Sequence, residues 1–264
     1  MEQDELISRK TKIEQALLSV IDQQKIDLLY QGQYKLPSKQ LVGLEALCRI
    51  PAGPWGNVLP EQFIPVAEEI GLIAQLERIV FKQISHDLPQ LLHHHPDIHI
   101  SINLSIRHIT APDFSSFIHG WLDTLPKFSI RCLDFEITET YFQLITQTVI
   151  KGLQELRKRG VRIVMDDFGS GQSSLSRLHT LPFDVIKLDK HFAQQIDHPM
   201  VYAIIKAAIA FANEFDIELI AEGVETIEQC LTLETLNCHF VQGFFFSHPQ
   251  PIAHWLSSPI AHAT

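Results

Sequence analysis

The stretch 162-RIVMDDFGSGQSSL-175 joins an apolar run to two adjacent carboxylates and then to two glycines. Arg162 to Met165 reads as a short buried strand, and Gly169-Ser170-Gly171 as the sharp loop that follows it. Neighbouring carboxylates repel one another, so Asp166 and Asp167 at a strand's carboxyl end call for positive charge between them. A divalent cation is the first candidate, and the rest of the chain can be read for its other ligands.

Working outward, further apolar runs lie at 26-IDLLYQGQYKL-36, 40-QLVGLEALCRI-50, 98-IHISINLS-105, 131-RCLDFEITE-139, 184-DVIKLD-189, 217-IELIAEG-223 and 239-HFVQG-243. Helical periodicity marks residues 8–23, 61–84 and 200–215. Only Pro37-Ser38-Lys39 separates the first two strands, which therefore form a hairpin; after them strand and helix alternate. Eight strands in this order predict an α/β fold, a modified TIM (β/α)8 barrel with an antiparallel strand in its opening hairpin. No repeat or flexible linker divides the chain, which is expected to carry a helical extension over residues 1–25 and one barrel domain over 26–258.

Bulk composition agrees: of 264 residues, 45% are hydrophobic and 20% charged, as in an ordinary globular protein. The formal charge of −10 argues against DNA or RNA as partner, because phosphate backbones want a basic face. It leaves room for a small anionic nucleotide if metal ions reverse the field locally. Cys48, Cys132, Cys230 and Cys238 show no CxxC pairing and read as free thiols of a reducing compartment. No apolar run is long enough to span a membrane, and the charged, amphipathic start is no signal peptide. A soluble cytoplasmic chain without membrane insertion is the expectation.

The polar residues fall where chemistry is built on a barrel. Glu45 lies in strand two, Asn103 ends strand three, Glu136 and Glu139 end strand four, and Asp166 and Asp167 end strand five. Lys187 and Asp189 end strand six, Glu222 and Glu225 follow strand seven, and Gln242 follows strand eight. In a barrel all these carboxyl ends converge on one face. Taken singly, an acid at a strand end is more often a helix cap or a solvated loop residue; Asp167 would cap a helix near Ser173, and Lys187 would be an ordinary ion-pair partner. Taken together, so many carboxylates at apolar strand ends need cations. Oxygen donors select Mg2+ or Mn2+ over zinc, and the number of acids suits two ions bridged by one aspartate, as in phosphoester hydrolysis.

With those motifs in view, the chain resembles the EAL-domain cyclic-di-GMP phosphodiesterases. The resemblance rests on 44-LEALCR-49, 63-FIPVAEEIGLI-73, 102-INLS-105, 135-FEITET-140, 165-MDDFGSGQSSL-175, 186-IKLD-189, 221-AEGVET-226 and 242-QG-243. It covers roughly residues 26 to 256 and implies metal-dependent hydrolysis of cyclic di-GMP to linear pGpG, a second-messenger reaction. It makes Glu45, Asn103, Glu136 and Asp166 ligands of one ion, with Asp166 bridging to a second held by Asp167 and Glu222. It places Lys187 beside the attacking water and Glu225 in a supporting or proton-handling role. It gives Glu139 the task of holding the loop from Phe168 to Ser174. Gln31, Arg49, Asp189 and Gln242 match substrate contacts, although a salt bridge to a nearby acid is the other reading of Arg49. Inhibition by Ca2+ and a homodimer are also expected.

Two departures from the family pattern stand out, Gly32-Gln33 after Tyr30-Gln31 and Gln172 in place of an aromatic; Ser170 for threonine keeps the hydroxyl. None touches a metal ligand or Lys187. The rival reading is a non-catalytic module that binds cyclic di-GMP or a protein. His93-His94-His95 reads as a solvated loop before Pro96, Phe244-Phe245-Phe246 as packing of the closing strand, and the first helix as a cap on the barrel bottom or a contact with a neighbouring copy.

Overall fold

The computed structural model describes residues 2–51, 53–54, 58–139, 145–169, 181 and 183–257, with side chains from residue 9 onward. Helix α1 (Glu2–Gln23) leads into the hairpin β1 (Asp27–Lys35) and β2 (Gln40–Arg49). Then come α2 (Pro60–Glu69), α3 (Ile73–His94), β3 (His99–Asn103), α4 (Ile106–Ile109), α5 (Phe114–Asp123), α6 (Lys127–Ile130) and β4 (Leu133–Thr138). The second half holds α7 (Gln147–Arg159), β5 (Arg162–Phe168), β6 (Val185–Leu188), α8 (Lys190–Gln194), α9 (Pro199–Glu214), β7 (Glu218–Ala221), α10 (Ile227–Thr235), β8 (Phe240–Gln242), β9 (Gln250–Pro251) and α11 (Ile252–Ser257).

Strands β2 to β8 pair in parallel in chain order, and β1 closes the ring by pairing antiparallel with both β8 and β2. This is the expected barrel with one reversed strand. Because β1 is reversed, Asp27 at its start lies opposite Arg49 at the end of β2. The single helix expected over 61–84 is instead two. Gly71, at φ 75°, takes a left-handed turn that a residue with a Cβ avoids, and the chain restarts as α3.

Period-two alternation explains how the strands are used. Outward residues such as Ile100, Ile102, Phe135, Ile137, Ile163 and Met165 pack under Phe81, Leu88, Leu91 and Trp121. Over β6 to β8 a second layer joins Leu188, Leu219 and Val241 to Ile205, Ile209 and Leu233. Inside the barrel the side chains lie in tiers. At the amino ends Arg162 forks onto Asp134 at 2.8 and 2.6 Å and reaches Glu218 at 2.7 Å, with His99 at 3.0 Å from Asp134. Above them Val164, Val185, Ile220 and Phe240 form a small apolar tier. The carboxyl ends carry the charged residues described next.

Three smaller features refine the sequence reading. Helix α1 buries Ile13, Ala16, Leu17 and Val20 and lies against α2 and α3. His93 and His94 close α3, and the ring of His95 contacts the Trp255 carbonyl at 2.9 Å, so the run is a helix end and not a loop. Phe245 and Phe246 pack inward as expected, Phe246 stacking on Tyr34 with centroids 5.0 Å apart, whereas Phe244 stays 52% exposed. All four cysteines are free thiols, two of them buried.

Candidate active site

The mouth of the barrel is organised around Lys187, which β6 presents inward with 1% exposure. Its Nζ lies 2.7 Å from Glu222, 3.0 Å from Glu136, 3.2 Å from Glu45 and 3.4 Å from Asp166. One ammonium thus faces carboxylates from four different strand ends. Glu45 is held further by Asn103, whose Nδ2 donates to Oε1 at 3.0 Å, and by Gln242, whose Nε2 donates to Oε2 at 2.6 Å. The same Gln242 amide lies 3.3 Å from Gln31 Oε1, and Gln31 in turn donates to the Ser247 carbonyl at 3.1 Å. Gln31 and Glu45 are direct register partners in the hairpin.

The adjacent aspartates reach one centre through an irregularity in β5. In a regular strand, residues 166 and 167 would point to opposite faces. Here the pairing with β6 slips between Met165 and Phe168, and Asp167 has a left-handed φ of 56°. This bulge turns both carboxylates into the mouth, at a backbone cost of order 1 kcal/mol or more for a non-glycine residue. Oxygens of Asp166, Asp167 and Glu222 then lie within 4.8 Å of one another.

The charge balance of this cluster is unfavourable by itself. Burial alone would raise the Glu45 carboxyl, but Lys187 and the two amides outweigh it and hold it below its ordinary range. The others go the opposite way. Burial pushes Glu136 well above the usual carboxylate range in spite of Lys187, and raises Asp166 likewise. Asp167 is pushed to about 6 by burial and by Asp166 and Asp189, and Glu222 to about 8 by burial. Among the described residues, the buried Glu136 Oε1 has no hydrogen-bond partner, and Asp166 Oδ1 has none beyond the ion pair to Lys187 Nζ at 3.4 Å. An under-satisfied buried carboxylate, an all-oxygen donor set and excess negative charge together fit divalent cations of the Mg2+ or Mn2+ kind.

Two hollows meet at this cluster. One, of about 380 Å³, is polar and lined by Gln31, Lys190, Gln194, Glu225, Gln242 and Phe244. The other, of about 390 Å³, runs between α2 and α3 and is lined by apolar groups such as Ile64, Pro65, Leu76 and Leu104. Glu45, Asp166 and Asp167 belong to both. Glu225 is exposed, and its backbone N–H donates to Gln229 at 2.7 Å. The segment Glu222–Glu225 is pressed against β8 at Gly243, where a Cβ would lie 2.1 Å from the Val224 carbonyl oxygen, so no larger residue fits.

The remaining expected residues are placed as follows. Glu139 Oε2 accepts from the Gly169 backbone N–H at 2.9 Å, at the start of the loop it was expected to hold; the rest of that loop, with Gln172, lies outside the described residues. Asp189 is 6% exposed and caps α8 through the His191 N–H at 2.8 Å, so its carboxylate is directed at a helix start and not at the hollow. Arg49 donates to the Cys48 carbonyl at 2.9 Å, and although Asp27 lies opposite it in the hairpin, no carboxylate among the described residues forms an ion pair with it. Lys190 and Gln194 had not been singled out. Their signal was available, since both belong to the short helix that directly follows Lys187 and Asp189.

Residues 12–249 match the EAL domain family model. The chain belongs to the EAL domain family. This EAL domain is 34% identical to the oxygen sensor protein DosP of Escherichia coli, over 97% of the chain and 32% of the relative. It is 33% identical to the biofilm architecture maintenance protein MbaA of Vibrio cholerae, over 99% of the chain and 32% of the relative. The EAL domain thus spans about a third of the length of these curated relatives. Among solved structures it is similar to the cyclic-di-GMP complex of the PaMucR phosphodiesterase, with TM-score 0.82 and 30% identity over 92% of this chain and 98% of that one. It is also similar to the EAL enzyme Bd1971 bound to cAMP and cyclic di-GMP, with TM-score 0.86 and 29% identity over 97% and 69% of the two chains.

Proposed function

We propose that this EAL domain hydrolyses one phosphodiester bond of cyclic di-GMP to give linear pGpG, with Mg2+ or Mn2+ as cofactor. The observation that carries the reading is the mouth cluster itself: four carboxylates around Lys187, with the buried Oε1 of Glu136 left without a hydrogen-bond partner among the described residues. Glu45, Asn103, Glu136 and Asp166 would hold one ion, and Asp166, Asp167 and Glu222 a second. Such a pair activates water and clamps the attacking and leaving oxygens of an in-line displacement.

The chain's own residues supply the rest. Lys187, buried and charged, offsets negative charge gathering on the phosphate. Glu225, exposed at the polar hollow, is placed to take a proton from water or to hand one to the leaving 3′ oxygen. Gln242 has a buried Oε1 with no hydrogen-bond partner among the described residues and is suited to accept a hydrogen bond from the substrate. Gln31 fixes that amide from below, and the fork of Arg49 suits a phosphate. Glu139 fixes the start of the loop after β5. Ca2+ is expected to inhibit, because its looser and longer coordination misplaces the reacting oxygens. The exposed Met200, Tyr202 and Ile204 of α9 support a homodimer in this reading, which light scattering tests.

The deciding experiment incubates the purified chain with cyclic di-GMP and Mn2+ or Mg2+, with and without chelator, and resolves the products chromatographically. Metal-dependent pGpG supports the reading. Binding of cyclic di-GMP without pGpG replaces it with a receptor role.

A further inference from the structure

Glu77 of α3 is a carboxylate that the chemistry above leaves unused, although it is only 6% exposed. Its Oε1 accepts from the backbone N–H of Ser105 at 2.6 Å, and its Oε2 meets the ring Nδ1 of the fully buried His108. Glu68 of α2, 9% exposed, comes to the same serine and accepts its hydroxyl proton at 2.6 Å. Two acids from two helices therefore converge on one residue. Burying carboxylates is costly, and a serine that starts a four-residue helix needs no such support to cap it, since its Oγ already accepts from Arg107 N at 3.1 Å.

What the two acids hold is the turn that ends β3. Asn103 is the last residue of that strand, and its side chain is exposed at the mouth. Leu104 is tied to β4 through the Glu136 carbonyl at 2.8 Å, and Ser105 is tied to α2 and α3 through Glu68 and Glu77. Asn103 Nδ2 donates to Glu45, which leaves its amide oxygen as the atom a cation would take. We propose that Glu77 and Glu68, acting through Ser105, are positioning residues that fix the Asn103 amide for metal binding. The proposal rests on the reading of the mouth as a metal site. Partners of this kind behind a ligand are worth roughly 10- to 100-fold in metal affinity.

The test measures Mn2+ binding by calorimetry, without substrate. Glu77→Gln and Ser105→Ala are each expected to weaken Mn2+ binding tenfold or more, and Ser105→Thr, which keeps the hydroxyl, to restore it. Asp87→Asn is the control. Asp87 is another buried acid of α3, bonded to Tyr30 at 2.7 Å and Gln83 at 2.9 Å, away from the turn. It should lower the melting temperature and leave Mn2+ affinity unchanged. Wild-type affinity in both Glu77→Gln and Ser105→Ala overturns the proposal, as does an equal loss in Asp87→Asn. If Glu77→Gln does not fold, Ser105→Ala alone decides. A wild-type chain that binds no Mn2+ overturns this proposal and the metal-site reading together, whereas tight wild-type binding that the variants retain overturns only this one.

Discussion

Without divalent metal, the stability of this domain should fall as pH rises from 5 to 8. The causes are Glu136, held well above the ordinary carboxylate range, Asp166, raised likewise, and Glu222, whose carboxyl is pushed from an ordinary 4.5 to about 8 in the fold. Over that window the folded chain keeps a proton that the unfolded chain has released, so each step up in pH favours unfolding. For Glu222 alone, integrating across this window gives a loss of roughly 3–4 kcal/mol, which for a chain of this size lowers the melting temperature by on the order of 10 °C. Asp167, raised to about 6, adds a smaller slope of the same sign. Glu45 and Asp134, both held below their ordinary range, stay ionised throughout and contribute none. The assay is a set of thermal melts in EDTA across this range, repeated with Mn2+ and with Glu222→Gln. Metal should flatten the wild-type curve, since a cation stabilises the ionised cluster. Glu222→Gln should remove its own share of the slope without metal and melt above wild type at pH 8. A wild-type melting temperature in EDTA that stays level or rises from pH 5 to 8, or an unaltered slope in Glu222→Gln, would refute the reasoning.

Other outcomes follow from the same geometry. Glu45→Ala should lower kcat/KM for cyclic di-GMP by on the order of 100-fold or more while the chain stays folded, as read by product chromatography and circular dichroism. Arg162→Met leaves the buried Asp134 without its forked partner and should cost about 3–5 kcal/mol in urea unfolding with KM unchanged. Gly243→Ala must displace the Val224 backbone and with it Glu222 and Glu225, so kcat should fall more than stability. Replacing Mn2+ by Ca2+ should abolish turnover but still raise the melting temperature; full turnover in Ca2+ alone contradicts the reading.

Strand ends were legible because alternation tells inward from outward, and so the mouth residues could be named one by one. Their meetings across the ring could not. Gln31 faces Glu45 only because β1 is reversed and in a particular register, and Lys187 sits among four acids only because the ring closes. The paired aspartates raised the right question, but a bulge with a left-handed aspartate leaves no residue-type signature when the residue is not glycine. Asp189 and Arg49 match ligand contacts by resemblance, and what the sequence did not show is their local partners, the backbone and ring of His191 for Asp189 and the Cys48 carbonyl for Arg49. The break at Gly71 was missed because the apolar period runs through it from Phe63 to Ile84 almost unchanged.

The tiered interior has a bearing on how such a domain can change over time. On the β5 to β8 side the ionic floor of Asp134, Arg162 and Glu218 is separated from the mouth by Val164, Val185, Ile220 and Phe240, so there the two charged tiers do not touch. Loss of an acid at the mouth relieves repulsion and leaves the floor intact. On the proposed function, a descendant that gave up catalysis by losing Glu136, Asp166 or Glu222 would therefore stay folded without metal. Such a barrel would permit a hydrolase to become a pure sensor by subtraction.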